Sequence, residues 1–154
     1  YKISFPVFEQ RNEDQQIDAF CKANYHLNIY QESDDSIMGF IAYWEFETYL
    51  YIEHFAIDTL LRGQGYGKKI LKKLINDNQK FILLEIDPVK DEISEARLRF
   101  YKKCGFFENP YKHIHPPYIK GNEGHSLEIL TSERSISNDE YIQFKHDLEF
   151  VVMA

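Results

Sequence analysis

Apolar residues along this chain follow two rhythms, one close to the helical repeat and one alternating, and the switches between them outline the elements. After a short start at Tyr1–Phe5, Ile17, Phe20, Cys21 and Tyr25 stand at helical intervals, so Asp14–Tyr25 is predicted to be an amphipathic helix with those side chains inward. His26–Gln31 and Ile37–Trp44 are rich in β-branched and aromatic residues. The run Ser33-Asp34-Asp35-Ser36 between them favours a turn, so the pair reads as a hairpin. Past the polar break Glu45–Glu47, Thr48–Ile57 adds a third strand, whose alternation puts Tyr51, Glu53, Phe55 and Ile57 on one face and His54 on the other.

The strand rhythm stops at Arg62-Gly-Gln-Gly-Tyr-Gly-Lys. Ile70, Leu71, Leu74 and Ile75 then take up helical spacing as far as the Asn76-Asp77-Asn78 exit. Phe81–Ile86 is a continuous apolar run with one acid near its end, the pattern of a strand covered on both faces, and Pro88 closes it. Strand, helix and strand together predict a parallel βαβ unit. Asp91–Cys104 is the next helix, with Ile93, Ala96, Arg97, Phe100, Tyr101 and Cys104 on one face before Gly105. Tyr111–Tyr118 contains Pro116-Pro117 and is predicted to be a loop, followed by a strand at Ser126–Thr131. Ser137-Asn138-Asp139-Glu140 is a capping box opening a last helix with Tyr141, Phe144, Leu148 and Val151 inward. With no repeat and no long linker, residues 1–154 read as a single α/β domain.

Composition narrows the class. Of the 154 residues, 44% are hydrophobic, enough for a sizeable core, and 12 Phe and 11 Tyr against 7 Gly and 5 Pro exclude a disordered or low-complexity chain. Apolar runs are too short to span a bilayer, so the expectation is a cytoplasmic protein with no membrane partner. A formal charge of −7 disfavours a nucleic-acid partner and would attract cationic amines. Cys21 and Cys104 lack a metal or disulfide spacing and read as small core residues; His113 and His115 lack a third spaced ligand, so no metal is expected.

The loop Gly63, Gly65, Gly67 lets backbone N–H groups approach an anion at a helix N-terminus, although a plain tight turn would also use such glycines. A Walker loop needs Gly where Arg62 stands, which disfavours a nucleoside-triphosphatase, and the dinucleotide fingerprint fails because it needs Gly where Lys68 stands. Arg62, Lys68, Lys69, Lys72 and Lys73 form a basic cluster with no acid between Thr59 and Ile75, which favours a polyanionic ligand over a solvated helix face of mixed charge.

These residues resemble the GNAT superfamily of N-acetyltransferases. Its acetyl-CoA loop carries Arg/Gln-x-x-Gly-x-Gly/Ala, matched by Arg62, Gly65 and Gly67. The run Tyr101-Lys102-Lys103-Cys104-Gly105-Phe106 is similar to its Tyr-x-x-x-Gly-Phe signature, and the order of elements across Phe5–Thr131 agrees. The resemblance implies a mixed, mostly antiparallel central sheet with flanking helices and a splayed parallel strand pair. It implies acetyl-CoA bound by the backbone of Phe55, Ala56 and Ile57 and by Arg62, Gly63, Gln64, Gly65, Tyr66, Gly67 and Lys68. Arg97 joins this set, as does Ser94, which stands where many members carry an Asn.

An amine must shed a proton before it attacks a thioester, and Glu53, a carboxylate amid apolar neighbours, is the expected base; a strand acid reaching solvent is the alternative. Tyr101 matches the family tyrosine that protonates the departing thiolate, with core packing as the alternative. Tyr111 and Tyr118, with His113 and His115, are expected to edge the acceptor pocket. The acceptor is expected to be an amine-bearing small molecule or peptide, with an acyltransferase for protein N-termini or lysines as a separate alternative, and a homodimer is compatible. A non-catalytic acyl-CoA-binding module is the rival reading.

Overall fold

The computed structural model describes residues 4–5 and 9–154. Most of the start at Tyr1–Phe5 lies outside the described residues. Helix α1 (Glu13–Phe20) is opened by Asn12 and Gln15, which cap each other's backbone, and is followed by β1 (Tyr25–Gln31), β2 (Ile37–Glu45) and β3 (Tyr49–Ile57). Then come α2 (Tyr66–Asp77), β4 (Phe81–Ile86), α3 (Glu92–Lys103), β5 (Phe106–Glu108), β6 (His113–His115), β7 (His125–Ser132) and α4 (Asn138–Asp147). The strands form one sheet in the order β1-β2-β3-β4-β7-β5, with β6 also on β7. Among the described residues β3 and β4 run parallel and every other pair is antiparallel.

Helices cover both faces of the sheet. On one, Trp44, Tyr49, Tyr51, Leu83 and Ile129 pack with Ala19 of α1 and Tyr141 and Phe144 of α4, and the Tyr49 hydroxyl donates to Asp147 at 2.6 Å to pin α4. On the other, Leu50, Ile52, Ile82, Leu84 and Leu130 pack with Ile70, Leu71 and Leu74 of α2 and with Cys104. Strand β4 supplies both clusters, which is why its sequence reads as a continuous apolar run. Among the described residues no helix is long and apolar enough to cross a membrane.

Several boundaries differ from expectation. Helix α1 stops at Phe20, Tyr25 opens β1, and Ile17 and Phe20 are more than half exposed, because the small Ala19 is the side chain that faces the sheet. In α3 Ser94 is buried and Ile93 exposed, and Cys104 is buried as the residue that caps its end. After α4 the chain makes a π turn, Leu148–Val152, closed by Met153 N–H on the Leu148 carbonyl at 2.9 Å. The wider turn brings Val152 rather than Val151 fully into the core. The expected loop Tyr111–Tyr118 contains β6, since the prolines follow the strand rather than interrupt it.

The start of that segment is fixed by Asn109. Its amide donates to Thr131 Oγ1 at 2.9 Å and accepts from Ile136 N–H at 2.8 Å, tying the end of β5 to β7 and to the approach to α4. Asn109→Ala should therefore orphan buried polar groups and lower stability by about 2–3 kcal/mol. Urea unfolding should show this as a lower midpoint with an unchanged slope.

Candidate active site

The loop before α2 is shaped by glycines with positive φ. Gly63 (+80°) and Gly65 (+83°) hold a left-handed backbone that other residues adopt with strain, and Gly65 caps α2 without a side-chain acceptor. The first-turn amides of α2 are thus left without a side-chain acceptor beside exposed Lys68, an arrangement suited to a phosphate-bearing ligand. Gly67 acts by size, since a Cβ there would meet the Phe100 ring at 3.3 Å. Arg62 Nε donates to the Ile57 carbonyl at 3.2 Å and ties the loop to the end of β3.

The centre of the site is a fork in the sheet. Strands β3 and β4 pair only from Tyr49 with Phe81 to Ile52 with Leu84, and then diverge. On its other edge β3 carries a bulge: Ile52 pairs with Tyr43 and His54 with Ala42, so Glu53 is the extra residue. The bulge breaks the alternation. Tyr51 packs on the α4 side, whereas Phe55 and Ile57 join the α2 cluster, so the expected single face of Tyr51, Glu53, Phe55 and Ile57 is corrected. His54 is not on the far side from Glu53 either, since both lie against Tyr118.

Two buried carboxylates follow the fork. The Glu53 side chain is fully buried and accepts from Arg11 Nη1 at 2.5 Å, Trp44 Nε1 at 2.9 Å and the Tyr118 hydroxyl at 2.7 Å. Burial alone would raise its pKa, but the Arg11 guanidinium, the His54 ring and these hydrogen bonds hold it down at about 2. Arg11 lies over the rings of Tyr25, Trp44 and Tyr118 and donates its other nitrogen to the Val152 carbonyl at 3.0 Å. Glu85, on β4, accepts from the Tyr51 hydroxyl and from His113 Nε2 at 2.5 Å, with His115 Nε2 at 3.8 Å. Burial opposes its charge, yet His115, His113 and Tyr51 draw its pKa below the ordinary carboxylate value.

A cavity of about 730 Å³ runs through the fork, reaching the glycine loop on the α2 side and Tyr118, His115 and His125 on the other. The sequence-based candidates Glu53, Phe55, Ala56, Ile57, Arg62, Gly63, Gly65, Gly67, Lys68, Arg97, Tyr101 and Tyr118 all line it. The Tyr101 hydroxyl has no hydrogen-bond partner among the described residues; burial raises the phenol to about 12 against the pull of Arg97, so it remains a proton donor. The side chains of Gln64 and Tyr66 stay outside the cavity, leaving their backbone amides as the available contacts. Two candidates lie off the cavity. Ser94 does not line the cavity, because its hydroxyl is committed to Asp91 and the Lys90 amide in the cap of α3. Tyr111 turns into the core, stacked on Tyr141 at 4.4 Å with its hydroxyl on the Ile136 carbonyl. His113 likewise sits behind the wall, between Glu85 and Tyr141. Sequence reasoning missed Arg11, Glu85 and His125; a single acid in the apolar run Phe81–Ile86 was the one available signal, for Glu85.

Residues 1–106 match the model of the Acetyltransferase (GNAT) family. The chain is 30% identical over 142 residues to a Bacillus subtilis (strain 168) protein named "Putative acetyltransferase YjbC", covering 90% of this chain and 71% of that one. A solved structure from Bacteroides thetaiotaomicron, named "Putative acetyltransferase from GNAT family", superposes with a TM-score of 0.90 at 31% identity, covering 99% of this chain and 86% of that one. Spermidine N-acetyltransferase from Vibrio cholerae, solved with CoA and spermine, shares the fold with a TM-score of 0.58 at 13% identity, over 84% of this chain and 75% of that one.

At pH 7, Arg11→Met should cost about 3–5 kcal/mol of stability, since a buried carboxylate loses its cation. The gap should narrow on acidification. In the wild type, Glu53 is held below its ordinary 4.5, so its contribution is present above that pH and lost as pH falls toward 2. In the variant, burial raises the pKa instead, and protonation removes the penalty. Denaturant titrations at neutral and acid pH test the pair; a gap independent of pH would contradict it.

Proposed function

Because the chain belongs to the GNAT acetyltransferase family, we propose that it transfers the acetyl group of acetyl-CoA to a primary amine by direct attack within a ternary complex. The observation that carries this reading is the single cavity joining the glycine loop, the fork and the carboxylate-lined pocket. Amine and thioester would enter from opposite faces of the sheet and meet where β3 and β4 part.

Acetyl-CoA, when bound, supplies an activated acyl group as a thioester. Backbone amides from Gln64 to Lys68 would hold its pyrophosphate, with the α2 dipole and Lys68 adding attraction. The edge of β3 at Phe55, Ala56 and Ile57, left unpaired by β4, offers backbone groups to the pantetheine amides. Arg97 lines the same half, bonded to Asp87 at 3.2 Å. Tyr101 holds a proton for the departing sulfur.

Glu53 takes a different part from the base that the sequence suggested. It already accepts three hydrogen bonds, one of them from the Arg11 guanidinium, and has little affinity for a proton, so in this reading it fixes Tyr118 at the pocket wall. A cationic amine suits the Glu85 carboxylate on the same cavity, and a solved structure of this fold was obtained in complex with CoA and spermine.

Thiol release from acetyl-CoA, measured across small amines, polyamines and peptides, tests the reading. Release that no amine stimulates, with CoA bound, would favour the binding-module alternative. Tyr101→Phe should lower kcat on the order of 10²-fold while CoA affinity by calorimetry stays within about twofold. Gly65→Val, strained at positive φ, should instead abolish measurable CoA binding in a folded protein.

A further inference from the structure

We propose that His115 is the proton acceptor for the amine and that Glu85 is its positioning residue. This rests on the acetyl-transfer reading above and assigns the step from which Glu53 is withheld by the three donors on its carboxylate.

The tautomer of His115 is set by its neighbour in sequence. A residue before proline is confined to extended backbone, which suits His115 at the end of β6, and its Nδ1 lies 2.6 Å from the Pro116 carbonyl. A carbonyl only accepts, so Nδ1 carries the hydrogen and Nε2 of the neutral ring carries the lone pair. Nε2 lies 3.8 Å from Glu85 Oε1, too far for a hydrogen bond and close enough for charge to act. The ring lines the cavity, stacked on His125 at 5.3 Å and 5.1 Å from the Tyr118 ring.

Glu85 gives the lone pair its purpose. Its side chain is almost wholly buried, and among the described residues its ion-pair partners are histidines, whereas Glu53 has Arg11. With both histidines neutral, the group holds one uncompensated negative charge away from water. A proton on His115 Nε2 converts that charge into an ion pair. His113 is committed, with Nε2 on Glu85 and Nδ1 at 3.1 Å from the Tyr141 hydroxyl, and it does not reach the cavity. His54 Nε2 lies 3.0 Å from the Glu9 carbonyl and so donates there.

Other charged or titratable groups also face His115. His54 looks toward it from β3, His125 from β7 and Glu9 from the segment before α1, Glu53 lines the same cavity bonded to Tyr118, and Tyr51 and Tyr118 remain protonated. The proton count closes. An N–H bond of the ammonium breaks as the Nε2–H bond forms; the free amine bonds the acetyl carbon as the carbon–sulfur bond breaks. Tyr101 protonates the sulfur and recovers a proton from the new amide nitrogen, and His115 releases its own to water.

The test has a kinetic arm and a spectroscopic arm. On an amine that the wild type acetylates, His115→Gln should lower kcat/KM at neutral pH on the order of 10²-fold, erase the acid-side inflection and leave CoA affinity unchanged. Glu85→Gln should keep the inflection and move it to lower pH, because the imidazolium loses its carboxylate 3.8 Å away. Nitrogen-15 NMR of the unliganded wild type should show Nε2 of His115 titrating at the kinetic inflection, and that midpoint should fall in Glu85→Gln. The NMR arm needs no turnover and no folded His115 variant. A His115 ring that stays in one protonation state across the inflection would overturn the assignment, as would a His115→Gln profile parallel to the wild type. A wild type that acetylates no amine would take down the acetyl-transfer reading and this step with it.

Discussion

Two parallel strands that stop pairing inside a covered sheet create an unusual demand, because backbone groups normally satisfied by a neighbour are left facing each other across a gap. The structure accepts this demand at the fork of β3 and β4. The bulge at Glu53 turns the strand so that its outer edge stays paired with β2 while its inner edge opens. The cavity, the orientation of Phe55 and Ile57 toward α2, and the placement of a carboxylate at the end of each paired segment all follow from that one interruption.

The two carboxylates are compensated in different currencies. Glu53 is given a permanent cation, three donors and three aromatic rings around the guanidinium, which together fix its charge. Glu85 is given groups that gain or lose protons. A compensated charge suits orientation, and a variable one suits proton movement. The division puts an unchanging field and a titratable group side by side in one pocket.

What was legible in the sequence was mostly local. The glycine loop could be read because positive φ and close approach leave a direct mark on residue choice, and both Gly63 and Gly65 take that backbone. The alternation of β2 and β3 was legible up to the bulge and misleading after it, since an inserted residue reverses the faces without changing composition. Glu53 was recognisable as a site residue, but its partner Arg11 lies 42 positions away on a segment with no periodicity. Tyr111 and Tyr118 look alike in sequence. The pairing of β6 with β7 sends one to the core and the other to the cavity. Ser94 is the opposite case: Asp91 and Ser94 carry the spacing of a cap, and the cap claims the hydroxyl.

The bond from Arg11 to the Val152 carbonyl spans 141 residues of sequence, and the same guanidinium holds Glu53. Closing so long a loop is slow compared with forming the β1–β2–β3 meander or the β3–α2–β4 crossover, whose contacts are between chain neighbours. The sheet and the glycine loop can therefore organise while the last turn is still undocked, and only its arrival gives Arg11 its full set of partners. Arg11 therefore links the meander strand that carries Glu53 to the turn that docks across the longest loop, so the ion pair at the fork reports on the docking of a distant segment.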